Sequence, residues 1–386
     1  MHRRTFVAGA LGATVTAAVL GEAAPAVAGG ADRTHRDRAE RSMAALRRYF
    51  SVPDDSGLLR ETHPAGGDNP YSYEWPFSQA HVAALDLLGV DGSRAARRRV
   101  ADFAAGQERY WEDTSSTGVA GYASYAVAPY GDGGDLFYDD NEWVGLAKVQ
   151  QHLLTGDRAA LHRAGQIFDL VVSGWDDDSS HAAPGGVFWA QGPYTDRNTV
   201  SNMPGALLGA RLAQLTHRAD TLRWATRMYG WAREHLLSPD GLYWDHLTLD
   251  GTVEKTFWSY NQGIPIAAAL ILHQATGERR YRDDARAVAD AAFGYYVTGG
   301  RLTGQPLYFN SMLFKAGLML ENAFGGDRYR AAMADYAGYL WDEVRDPATG
   351  LFPTQDDGST QLLDQAAAVQ IDAVLAWPRR QCAKLY

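Results

Sequence analysis

The sequence predicts an all-α protein in which helical hairpins close into an (α/α)6 toroid. Three observations carry that expectation. Apolar residues recur at the i, i+3, i+4, i+7 spacing of amphipathic helices along most of the chain. A helix–turn–helix pattern returns at intervals of roughly 50–65 residues, the range of repeated supersecondary units. The last such helix, "QLLDQAAAVQIDAVLAW", is apolar on too many sides to be the polar cap that an open solenoid needs.

The elements follow in order. Residues 1–28 read as an export leader: a charged start, an apolar run from Phe6 to Leu20, and an A-x-A site at Ala26-Val27-Ala28. Arg3-Arg4 followed by Thr5-Phe6-Val7 resembles a twin-arginine motif. The expectation is a secreted, extracellular, bacterial protein with no membrane anchor, and a single mature domain over 29–386. A long helix, "ADRTHRDRAERSMAALRRYF", is followed by a loop from Ser51 to Pro76. Five hairpins come next, the last four with inner turns that line up at Gly156-Asp157, Arg218-Ala219-Asp220, Gly277-Glu278 and Gly326-Asp327. A sixth forms when the first helix pairs with the last. The longer loops between hairpins then gather on one face and line a central cleft.

Composition narrows the function. The chain is 46% hydrophobic and 21% charged, an ordinary globular balance. A net charge of −10 without a basic stripe argues against nucleic acid. The lone cysteine, Cys382, can form no intrachain disulfide, and the 11 histidines show no metal-ligand spacing, so no metal or cofactor is expected. A monomer acting on a polysaccharide or oligosaccharide fits the 11 tryptophans and 20 tyrosines, whose rings stack on sugar faces.

The stretch "FYDDNEWVGLAK" places Asp139 and Asp140 side by side where a helix begins. Asp139 with Glu142 has the form of a capping box. A cap uses one carboxylate, however, and leaves the second unexplained. The other acidic doublets, at 54–55, 176–178, 283–284 and 356–357, are flanked by small or charged residues; only 139–140 is flanked by Phe137, Tyr138 and Trp143. Two carboxylates are the minimum equipment for glycoside hydrolysis, about 5–5.5 Å apart when configuration is retained. The cleft loops supply candidate sugar contacts: Trp75, Asn141, Trp143, Trp189, Ser201, Asn202, Trp258, Tyr260, Asn261 and Gln262. Tyr71, Tyr73, Glu74, Asn198, Trp244 and Asp245 lie in the same loops.

The segments "YDDNEWVGLAKVQQHLLTGD", "GGVFW", "TVSNMPGALLGARLAQLT" and "WSYNQGIPIAAALILHQATGERRYRDDARAVADAA" resemble glycoside hydrolase family 76, over roughly residues 36–376. That family comprises bacterial endo-α-1,6-mannanases and fungal wall-remodelling relatives. The resemblance implies an (α/α)6 toroid and retaining hydrolysis of α-1,6-linked mannan. It makes Asp139 the nucleophile and Asp140 the general acid/base. A transglycosylase would use the same covalent intermediate but needs an acceptor site that excludes water. A non-catalytic glycan-binding protein has no need of the intact Asp139-Asp140 pair. An intracellular sugar epimerase or isomerase of toroid fold conflicts with the leader.

Overall fold

The computed structural model describes residues 30–67, 69–115, 118–192 and 196–386. The leader expected over 1–28 lies outside them. Twelve α-helices form the body: α1 (Gly30–Phe50), α2 (Glu74–Asp91), α3 (Arg94–Gln107), α4 (Tyr138–Thr155), α5 (Arg158–Ser173) and α6 (Thr199–Thr216). They continue with α7 (Ala219–Leu236), α8 (Tyr260–Thr276), α9 (Arg279–Ala292), α10 (Leu307–Phe324), α11 (Arg328–Tyr339) and α12 (Leu362–Leu375).

The even-numbered helices form an inner ring. α2 packs on α4, α4 on α6, α6 on α8, α8 on α10, α10 on α12, and α12 back on α2. The ring is therefore closed, as the sequence pattern anticipates, and α1 pairs with α12 to complete the sixth hairpin. Side-chain distribution explains the two layers. α8, "YNQGIPIAAALILHQAT", is apolar all round and buried from Asn261 through Leu272, whereas α9, "RRYRDDARAVADAA", buries only one stripe. The inner helices of the other hairpins repeat this contrast.

Short turns fold each hairpin. Gly156 and Gly277 take φ of 77° and 74°, and each returns its N–H to a histidine carbonyl of the helix just ended. Only glycine adopts this left-handed cap without a Cβ penalty. Asp157 then caps α5, accepting the N–H groups of Ala159 and Ala160.

One end of the ring is filled. Asp86 on α2 bonds Lys315 Nζ of α10 at 2.7 Å and accepts Gln150 Nε2 of α4 at 2.7 Å. Lys315 also donates to Gln370 of α12. Lys315 and Asp86 are fully enclosed, so each charge relies on the other. The chain's final turn, Arg379–Lys384, packs on α4 and α10, and Tyr386 is buried against Trp143.

The opposite end carries the loops between hairpins. Their only sheet structure, among the described residues, is short ribbons. Thr62–His63 pairs with Thr360–Gln361, and Trp111–Glu112 with Gly121–Tyr122. Asp196–Asn198 pairs with His246–Thr248, which pairs with Val253–Glu254. Helices start earlier than the apolar pattern suggests: α2 at Glu74 rather than after Pro76, α6 at Thr199 and α10 at Leu307. Their first turns are polar or aromatic because they face the open end of the ring instead of the core.

Candidate active site

Asp139 and Asp140 are the second and third residues of α4. The N-cap is Phe137, which makes no side-chain cap bond, so the Asp139–Glu142 capping box is absent. Glu142 is fully buried, and burial followed by the charge of Asp139 pushes its carboxyl well above the usual range. Capping therefore accounts for neither aspartate.

Both aspartates line an open cavity of about 400 Å³ at the loop end of the ring. Trp75, Phe137, Trp143, Trp189, Tyr260 and Phe309 form its aromatic walls, and Asp196, Asn198, Asp245 and His246 its polar ones. Asp139 is 9% exposed; its Oδ2 accepts the indole N–H of Trp189 at 3.2 Å, and its Oδ1 has no protein partner. Burial lifts the Asp139 carboxyl to about 7, even though the Trp189 bond and backbone N–H groups favour the anion. The low-dielectric cavity wall outweighs the donors that favour the Asp139 anion. Asp140 is pushed well above the carboxylate range, first by burial and then by the charge of Asp139. Glu74, enclosed at the start of α2, accepts Gln107 Nε2 at 2.5 Å and is also held high by burial and by the charge of Asp140.

The loop carrying Trp189 is pinned from behind. Arg197 is wholly buried, bonds Asp176 at 2.6 Å, and donates to the carbonyls of Ala182, Ala183, Gly185 and Thr248. It ties the segment before α6 to the neighbouring ribbon. Trp189 remains 41% exposed, with its ring 4.9 Å from that of Phe137.

Of the ten sugar contacts expected from the sequence, Trp75, Trp189 and Tyr260 lie on the cavity wall, and Trp143 forms its floor at 1% exposure. Four others are corrected. Asn141, Asn202 and Gln262 are buried and act as matched clasps. Asn141 accepts the N–H of Tyr122 at 2.8 Å and donates to the carbonyls of Tyr122 and Phe137. Asn202 does the same with Val187 and Asn198, and Gln262 with Tyr243 and Trp258. In each case one amide in the first turn of an inner helix holds a loop residue by both backbone groups. Ser201 is buried too and donates to Val187 O at 2.8 Å. These side chains shape the loops and have no free face for a sugar.

Asn261 is 1% exposed and donates to Asp245 Oδ1 at 3.0 Å, orienting a carboxylate that does reach the cavity. The other oxygen of Asp245 meets His246 Nδ1 at 3.1 Å, a contact that raises the imidazole's pKa. Trp258 faces a neighbouring cavity instead. Sequence reasoning missed Phe309, which stacks on Tyr260 at 3.8 Å with an interplanar angle of 2°. No motif surrounds Phe309. Its place in the first turn of an inner helix, shared with Trp75, Asp139 and Tyr260, is the signal that would have found it.

Comparison with known proteins now adds to this geometry. The chain is 28% identical over 186 residues to "Mannan endo-1,6-alpha-mannosidase DCW1" of Candida glabrata, a match covering 45% of this chain. That match spans 38% of the relative's length. Among solved structures, a family 76 mannosidase from Bacteroides thetaiotaomicron superimposes with a TM-score of 0.77 at 23% identity, covering 89% of this chain and 98% of that one. An inactive variant of an α-1,6-mannanase from Salegentibacter, with two adjacent aspartates replaced by asparagine and α-1,6-mannotriose bound, gives 0.74 at 21% identity, covering 89% and 99%. These likenesses show a shared helical ring. The family model of glycosyl hydrolase family 76 matches residues 34–383, a span that runs from within α1 past the end of α12 and includes both aspartates of the cavity. The chain belongs to glycosyl hydrolase family 76.

Proposed function

We propose that the chain is a retaining glycoside hydrolase that cleaves α-1,6-linked mannan, with Asp139 as nucleophile and Asp140 as general acid/base. The observation that carries this reading is the placement of two successive carboxyls in the first turn of α4, at one aromatic-walled cavity, with different surroundings. Asp139 has an N–H donor that favours its anion. Asp140 has no such donor among the described residues, and its neighbour's charge favours the protonated form. Further support comes from the Salegentibacter enzyme, inactive when two adjacent aspartates are replaced.

The reaction follows from those protonation states. Asp140 donates its proton to the glycosidic oxygen as the Asp139 carboxylate attacks the anomeric carbon from the β face. The product sugar departs and a β-linked mannosyl ester remains on Asp139. Asp140, now ionised, takes a proton from water, which attacks from the α face and releases α-configured mannose. Trp189, Trp75 and Tyr260 offer ring faces to the sugars, and Asp245 and Asn198 offer oxygens that accept hydrogen bonds from sugar hydroxyls. The leader-like residues 1–28 favour work outside the cytoplasm, where such a polysaccharide is met.

The test is incubation with unbranched α-1,6-mannan, following product length and the anomeric proton signals by NMR. Shorter chains whose first-formed reducing ends are α are expected. First-formed β ends would overturn retention, and an untouched polymer would overturn the substrate.

A further inference from the structure

Three carboxyls gather where α2 and α4 begin. Asp139 and Asp140 line the cavity. Glu74, the first residue of α2, is wholly enclosed, although its neighbour Trp75 forms part of the cavity wall. The backbone N–H of Glu74 donates to Ser124 O at 2.9 Å, and its Oε1 accepts Gln107 Nε2 of α3 at 2.5 Å. Its Oε2 has no protein partner. A tie between α2 and α3 uses one oxygen and leaves the second unexplained.

The surrounding groups decide which form this carboxyl takes. α4 presents Asp140, Asp139 and, more weakly, Lys148. Lys148 is engaged elsewhere, with Nζ 3.5 Å from Glu108 Oε1. Tyr110 and Tyr122, in the segment after α3, are enclosed phenols that burial keeps neutral. His81, two turns along α2, is kept neutral in the same way. Glu61 accepts the Tyr73 N–H at 2.9 Å, and Asp364 of α12 the Thr354 hydroxyl at 2.5 Å. Among the described residues no cation pairs with Glu74, so burial and then the charge of Asp140 hold its proton in place. Asp140 owes its own shift to burial and to Asp139. An ionised Asp140 therefore has a neutral acid beside it, and such an acid is a strong donor to a carboxylate.

We propose that Glu74 is a positioning residue for the acid/base, whose otherwise unpartnered Oε2 presents its hydrogen to the carboxylate that Asp140 becomes on giving up its proton. This rests on the mannan-hydrolase reading. Asp140 passes its own proton to the glycosidic oxygen, while the Glu74 proton stays on Glu74 and bonds the new anion. When Asp140 takes a proton from the attacking water, that bond is released. Glu74 thus lowers the cost of ionising Asp140 without adding a charge to the cavity.

The experiment follows kcat/KM against pH for wild type, Glu74→Met and Glu74→Gln. The substrates are two aryl α-1,6-mannobiosides, one releasing phenol and one dinitrophenol. Melting temperatures establish folding. Methionine keeps the bulk without the donor, and glutamine keeps a donor. Glu74→Met is expected to lose about tenfold on the phenyl substrate and to stay within about twofold of wild type on the dinitrophenyl one, which needs no acid. Its alkaline limb should move up by about one pH unit, because Asp140 releases its proton less readily. Glu74→Gln should restore the limb and bring the phenyl rate within about threefold of wild type. If Glu74→Met does not fold, the double variant Glu74→Met/Gln107→Met, which leaves neither side chain unpaired, takes its place. Wild-type rates and limb in the folded methionine variant overturn the proposal. Equal losses on both substrates also overturn it, since Glu74 would then only support the cavity. So does a glutamine variant as impaired as the methionine one. A wild type inert on both substrates and on α-1,6-mannan overturns the hydrolase reading itself.

Discussion

The indole N–H of Trp189 donates to Oδ2 of Asp139 across 3.2 Å, joining the loop before α6 to the first turn of α4. The bond lowers a carboxyl that burial otherwise raises. A donor to the charged form favours that form. Trp189→Phe keeps an aromatic beside Phe137 and deletes the donor. The acidic limb of kcat/KM is expected to move to higher pH, with the loss of rate greatest below neutrality. An acidic limb that stays in place in pH-rate profiles would show that Asp139 does not set it.

Wild-type pH dependence follows from the same pair. The nucleophile must be ionised and the acid protonated. Asp139 sits at about 7, raised by burial, so activity is lost as pH falls through that value. Asp140 is pushed well above the carboxylate range by burial and then by the charge of Asp139, which keeps the acid protonated, and activity falls again on the alkaline side as that proton is lost. The profile of kcat/KM, which reports the free enzyme, is expected to be bell-shaped with its optimum above neutrality. An optimum near pH 4–5 would reverse the assignment of the limbs.

Arg197 provides a stability test. Its guanidinium is wholly buried and satisfies Asp176 and four carbonyls behind the Trp189 loop. Arg197→Met leaves Asp176 enclosed without its cation, a change that typically costs about 3–5 kcal/mol. The midpoint of chemical unfolding should fall accordingly. A loss under ~1 kcal/mol would mean the loop reorganises around the gap.

The closed ring was legible because two periodicities coincide: the helical spacing of apolar residues and the recurrence of whole hairpins. The apolar terminal helix pointed to closure, and α12 does pack on both α1 and α2. The aspartate pair stood out because a cap explains only one of its two carboxylates and because it alone among the acidic doublets has aromatic flanks. The amides were harder. Asn141, Asn202 and Gln262 recur near inner-helix starts, which equally suits sugar contacts and loop clasps, and only backbone geometry separates the two. Asn202→Ala is therefore expected to leave a buried Val187 N–H and carbonyl short of partners, lowering stability by about 1–3 kcal/mol. An Asn202→Ala variant of full stability in denaturant titration, with weakened oligosaccharide binding, would restore the sugar-contact reading.

The roles of the two aspartates separate most cleanly when the leaving group is changed. Proton donation typically contributes 10²–10⁴-fold, and a leaving group of low basicity removes that need in the first step. Asp140→Ala should therefore still form the mannosyl ester on aryl α-mannosides with activated leaving groups, and then stall because no base activates water. Azide needs no such base. It attacks the β-linked ester from the opposite face, so the rescued product is the α-mannosyl azide, with the substrate's configuration. Asp139→Ala lacks the ester, and azide can only displace the leaving group directly, giving the β-azide. Rescue products of the opposite configurations would exchange the roles of Asp139 and Asp140. Two alanine variants that keep full activity without azide, yet melt earlier, would reduce the pair to support for the first turn of α4.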